Sequence, residues 1–87
     1  MRFRDVEFRW CKINNKYELV KWMEDLHGFK DPTCYVLAFF DETKEGYDMR
    51  TVGDRFFEDK DAWIVGKHAI EFLNAMFYEL QKEKELE

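Results

Sequence analysis

Hydrophobic and polar residues alternate from Phe3 to Ile13, with Val6, Phe8 and Trp10 on one side and Glu7, Arg9 and Cys11 on the other. A period of two is that of a strand with one face buried. Asn14-Asn15 follows, and because Asn tolerates positive φ better than any residue but Gly, the pair predicts a two-residue hairpin turn. That turn sets Trp10 opposite Leu19, Phe8 opposite Lys21 and Val6 opposite Met23. One face then reads Val6, Phe8, Trp10, Tyr17, Leu19 and Met23. Leu19, Trp22, Met23 and Leu26 also fit helical spacing, so a helix over 17–26 competes with the second strand. Cross-strand agreement favours the hairpin.

His27 to Thr33 is loop by composition. Cys34 to Phe40, CYVLAFF, is a continuous apolar run of strand length and predicts a central strand covered on both sides. Lys44-Glu45-Gly46 turns the chain and Tyr47 to Phe57 returns as a fourth strand, with Gly53 marking a bulge or a close backbone approach. A Glu45-Gly46 turn would pair Asp41 with Arg50 across the strands. From Asp61 the period lengthens to 3.6 residues: Trp63, Gly66, Ile70, Leu73, Phe77 and Leu80 form one stripe. Asp59 and Asp61 supply a capping carboxylate and negative charge at the helix start. Gly66, unfavourable inside a helix by about 1 kcal/mol, lies on that stripe and predicts a close approach of helix to sheet. The fold class is α+β: a four-stranded antiparallel meander followed by one long C-terminal helix packed across it. Residues 1–85 read as one domain, and Leu86-Glu87 as a possible cloning remnant.

Composition fits one small core. The chain has 87 residues, 46% hydrophobic and 18% aromatic, ample apolar surface to fold without disulfides. Cys11 and Cys34 sit among apolar residues and read as reduced, buried thiols of a cytoplasmic protein. No apolar run reaches membrane-crossing length, and the charged N-terminus lacks a signal-peptide core. The net charge of −5 is uneven: residues 1–23 hold six basic and three acidic groups, and the remainder is strongly acidic. An acidic chain is a poor general binder of nucleic acid.

Candidate chemistry is sparse. The chain has no serine, so a serine nucleophile is excluded. Cys11 paired with His27 or His68 lacks any positional signature of a nucleophile. Cys11, His27, Cys34 and His68 match zinc ligands by type but lack the short paired spacings of zinc modules. No phosphate-binding glycine loop or hydrolase motif occurs. The reading is a non-enzyme with no cofactor and no metal.

Interaction surfaces are better indicated. On the helix a second apolar row, Val65, Ala69, Phe72 and Met76, widens the stripe to about half the circumference, more than one sheet face covers. These four residues form the expected contact for self-association as a homodimer, or for a host protein. The basic hairpin offers the alternative. Trp22 among Arg9 and Lys16, with Arg55 in VGDRFF as a further anion contact, would stack single-stranded nucleic acid.

Four antiparallel strands followed by a helix resemble the transcriptional-coactivator family that binds single-stranded DNA as dimers, although the surplus of positive charge is absent here. The stretches CYVLAFF and EGYDMRTVGDRFF are similar to small uncharacterised proteins encoded by phages and prophages of bacteria. That resemblance implies a genomic setting and transfers no active residue. Together these features predict a non-enzymatic phage-type accessory factor that self-associates or binds a host protein, with single-stranded nucleic-acid binding as the alternative.

Overall fold

The protein is described by a computed structural model over residues 1–23 and 33–86. The predicted loop after His27 lies outside the described residues up to Pro32. The elements are β1 (Arg2–Phe3), β2 (Val6–Cys11), β3 (Lys16–Trp22), β4 (Cys34–Thr43), β5 (Gly46–Thr51), α1 (Arg55–Glu58) and α2 (Lys60–Leu86). The five strands form one antiparallel sheet in chain order, β1-β2-β3-β4-β5. The fold is therefore α+β with five strands rather than four. The added strand arises because the long alternating segment breaks at Arg4, which takes φ 54 and turns the chain so that Phe3 pairs with Val6.

The hairpin over residues 6–22 is present, with 17–22 in strand rather than helix and 24–26 outside the described residues, but the register differs by two residues. Trp10 pairs with Tyr17, Phe8 with Leu19 and Val6 with Lys21. Lys12 to Asn15 form a four-residue connection in which only Asn15 has positive φ, 54°. A two-residue turn of the tight type needs positive φ at both central positions. The second hairpin slips by the same amount: Thr43 pairs with Gly46 and Asp41 with Asp48. Arg50 still reaches Asp41 diagonally, Nε to Oδ2 3.1 Å. A slip of two leaves every side chain on its original face, so the predicted apolar face survives both errors.

CYVLAFF lies within β4, where a bulge accounts for part of its unbroken apolarity. Leu19 pairs with Ala38 and Val20 with Val36, which leaves Leu37 as an extra residue in β4. This bulge lets both Leu37 and Ala38 enter the core. α2 covers one face of the sheet. The core there is Val6, Phe8, Leu19, Leu37, Ala38 and Phe40 from the sheet with Ala62, Val65, Ala69 and Leu73 from α2.

VGDRFF is not strand. β5 stops at Thr51, Gly53 bends the chain at φ 66, and residues 55–58 form the short α1. This turn swings Phe56 back under α2, where it is 2% exposed. A Cβ at Gly66 would stand 2.9 Å from Phe56 Cε2 and 3.4 Å from Met49 Sδ. The predicted close approach is thus chiefly between α2 and an aromatic ring delivered by the bend.

The core stripe of α2 is rotated from the predicted one by roughly 45° at 100° per residue. Ala62, Val65, Gly66, Ala69, Leu73 and Phe77 are buried, whereas Trp63 and Leu80 are 52% and 51% exposed. Small residues let the helix lie close to the sheet, and Trp63 packs instead on Phe56 and Phe57 at ring separations of 5.5 and 6.3 Å.

Asp59 caps α2, as its sequence position predicts. Its Oδ1 accepts hydrogen bonds from the amides of Asp61 (2.9 Å) and Ala62 (3.2 Å), and Oδ2 accepts one from Lys21 Nζ of β3. Burial pushes the Asp59 carboxyl upward, but Lys21 and the two amides outweigh it and hold it below its ordinary value. The same bond to Asp59 raises Lys21 above its ordinary value, against the lowering effect of burial. A carboxylate depressed by folding stabilises above its unfolded pKa and loses that contribution as pH falls through the folded one. A raised lysine stabilises below its unfolded pKa and loses the contribution as pH rises through the folded one.

The stability difference between the wild type and Asp59→Asn, which keeps a capping oxygen but no charge, should therefore be flat at neutral pH. It should shrink below about pH 4 and again above about pH 10.5, near the unperturbed Asp and Lys values. Urea unfolding across pH checks this. Asp59→Ala, which also loses the cap, should cost about 0.5–2 kcal/mol more.

Candidate functional site

The face of the sheet turned away from α2 is built from cross-strand rows. One runs Arg9, Glu18, Phe39, Arg50 across β2 to β5. Arg9 lies along this face. Its guanidinium binds Glu18 Oε1 at 3.0 Å and approaches Cys34 Sγ at 3.5 Å and the Trp22 ring at 5.4 Å. Burial alone would lower the pKa of Arg9, but the Glu18 hydrogen bond and surrounding negative charge hold it above its ordinary value. Glu18 is 2% exposed. Arg2 lies 5.8 Å from the other end of the system at Trp22, whose indole N–H donates to Glu7 Oε1 at 3.2 Å.

A second unit repeats the arrangement around Phe39. Lys16 Nζ and the Arg50 guanidinium stand 5.7 and 5.1 Å from its ring. Both cations bind Asp41, at 2.9 and 3.1 Å, and first Lys16, then Arg50, lowers the Asp41 pKa. The expected cation–aromatic surface thus exists and includes Arg9, Lys16 and Trp22. Its cations Arg2, Arg9, Lys16 and Arg50 are interleaved with Glu7, Glu18, Asp41 and Asp48. Arg9 and Lys16 are held by carboxylates of this protein.

Arg55 stands apart from that group. It begins α1, stacks 4.5 Å over Tyr35, and borders an open groove of about 510 Å³ with Val36, Phe39, Val52 and Gly53. The predicted helix row is also divided. Val65 and Ala69 are core at 1% and 0% exposure, and Met76 packs partly buried against the core. The sheet is wide enough to absorb that side of the helix, so these three are not a free contact. Phe72 remains 55% exposed, on a strip with His68, Ala75 and Glu79, all exposed. Cys11 and Cys34 lie on the far face of the sheet, half-buried rather than buried because α2 covers the other face, and His68 lies on α2, so these three do not converge. His27 lies outside the described residues.

No family model matches the chain, and no curated protein or solved structure does. Function therefore rests on this geometry alone. Among the described residues no helix is long and apolar enough to cross a membrane, and no three His, Cys, Asp or Glu side chains are placed to hold a metal ion.

Sequence reasoning missed one feature. At the end of the sheet bearing the hairpin tips, Trp10, Tyr17, Tyr47 and Phe77 form a continuous row with ring separations of 4.9, 6.4 and 6.4 Å. The signal lay in the register, since Trp10 and Tyr17 meet only when the connection is four residues long. Asn74 of α2 fixes the far end: its side-chain oxygen accepts from the Tyr47 amide at 2.8 Å and its NH2 donates to the Tyr47 carbonyl at 3.3 Å. The Tyr47 phenol is pushed up by burial, then by the charge of Glu42 and by Tyr17.

Proposed function

We propose that the protein is a non-enzymatic interaction module whose first partner is a second copy of itself, docked along α2. The observation that carries this reading is the exposed strip His68, Phe72, Ala75, Glu79. Their spacing of four, three and four residues places them on one side of the helix and is symmetric about the midpoint between Phe72 and Ala75. Two antiparallel copies related by a two-fold axis there set each Phe72 against the small Ala75 of the other copy, and each His68 against its Glu79. Size and hydrogen-bonding capacity are both self-complementary, as an isologous interface requires. Burying the exposed half of Phe72 contributes about 1 kcal/mol per copy. In a phage or prophage setting, such a dimer would serve as a small accessory factor.

Single-stranded nucleic acid is the weaker reading. The stacked cations at Trp22 and Phe39 favour it, but the four carboxylates on the same face oppose phosphate.

Sedimentation equilibrium up to high micromolar concentration tests the dimer. We expect a monomer–dimer equilibrium in the wild type and a folded monomer for Phe72→Lys. His68→Glu and Glu79→Lys should each weaken association, and the double variant should recover it because each new Glu meets a new Lys. A wild type that stays monomeric, or a double variant no better than the singles, would overturn the two-fold arrangement.

A further inference from the structure

The aromatic row at the hairpin-tip end encloses a recess separate from the α2 strip. Trp10, Tyr17, Tyr47 and Phe40, the last 1% exposed, are its aromatic lining. Successive rings meet nearly at right angles, 75° between Trp10 and Tyr17 and 72° between Tyr17 and Tyr47. Perpendicular rings make corners of a box, in which one face of Tyr17 is taken by Phe8, stacked at 5.1 Å and 17°. Trp10 keeps 50% of its surface exposed.

The charges at the rim differ in their commitments. Asp41 is already shared by Lys16 and Arg50. Glu42 pairs in register with Tyr47, is exposed, and forms no ion pair among the described residues. Lys16, the one cation among the described residues lining the recess, is held at Asp41. The recess is therefore lined by four aromatic residues and by Asn15, Lys16, Asp41 and Glu42, and among these Glu42 is the charge left without an ion-pair partner among the described residues. Its volume is about 290 Å³, at the lower end of the ~300–1,000 Å³ range of drug-sized ligand sites. It suits a single head group.

We propose that this recess binds the ammonium head of a lysine side chain presented by a partner protein. The ring faces are negative and attract a cation held within about 6 Å of their centroids, and Glu42 supplies the counter-charge. A neutral group of the same size would gain only the apolar contact, and an anion would be repelled by Glu42.

NMR titration of the full chain with N-acetyl-lysine N-methylamide tests the proposal. The controls are the uncharged norleucine analogue and tetramethylammonium chloride. We expect saturable shifts at the Trp10 indole with the lysine compound and none with norleucine. Trp10→Ala should weaken binding about tenfold and Glu42→Gln about threefold, in line with the size of cation–π and exposed ion-pair effects. Both residues are exposed at strand ends, so both variants should keep the wild-type amide spectrum elsewhere. Equal shifts with norleucine, binding unchanged in both variants, or a response to tetramethylammonium alone would overturn the assignment.

Discussion

Arg9→Ala is expected to cost about 3 kcal/mol of folding stability, the scale for breaking a buried ion pair by removing one partner. The cost comes from what remains. Glu18 is 2% exposed, and Arg9 is its ion-pair partner at 3.0 Å. Without the guanidinium the carboxylate is left in a site it shares with Val20, Phe39 and Trp22 on the same sheet face. The Arg9 end keeps more solvent access, 36% of its side chain, so water entering the vacated space limits the loss.

Replacing both residues, Arg9→Leu with Glu18→Leu, removes the charge together with its counter-ion and should recover most of the stability. Chemical denaturation of the three variants checks the pattern. A single variant as stable as the wild type would show that Glu18 finds solvent without Arg9. The same measurement bears on function, because a residue that neutralises a buried carboxylate is committed to the fold before any external anion arrives.

Phe56→Ala should cost about 3–5 kcal/mol, as for other buried aromatic truncations. Phe56 is 2% exposed and ties α1 to α2. Its ring sits under α2 at Gly66, 5.5 Å from the Trp63 ring and 5.4 Å from that of Phe57. Gly66 provides an internal check. In an ordinary helix interior, Gly to Ala stabilises by about 1 kcal/mol. Here the added methyl would meet Phe56 Cε2 at 2.9 Å, so Gly66→Ala should be destabilising, by about 1–3 kcal/mol. In the Phe56→Ala background the ring is gone, and the same substitution should become stabilising. The reversal of sign, read from a double-mutant cycle, is the expected signature of direct contact. Simple additivity would place the ring elsewhere.

The functional surfaces were legible to different degrees. Trp22, Arg9 and Lys16 share a face because alternation alone assigns it. Their carboxylate partners could not be read, since Glu18 and Asp41 are matched to them by strand pairing across turns of uncertain length. Of the four helix residues expected at an interface, Phe72 is exposed, while Val65 and Ala69 are core. Helical spacing describes the angle between residues but not the angle at which the helix is set down on its sheet.

By itself the sequence determined what depends on local period and local chemistry. The α+β class, the face of each residue in the first hairpin, the Asp59 cap and the need for Gly66 all follow from alternation, 3.6-residue spacing and side-chain reach. Tertiary structure decided what depends on length and contact at a distance. A strand's faces repeat every two residues, so registers two apart present the same pattern. Only the positive φ of Asn15 and the pairing of Trp10 with Tyr17 select between them. The fifth strand, the Leu37 bulge and the bend that turns VGDRFF into a short helix likewise arise where one backbone position departs from the pattern. The aromatic box of Trp10, Tyr17 and Tyr47 exists because the hairpin registers bring together rings from three strands.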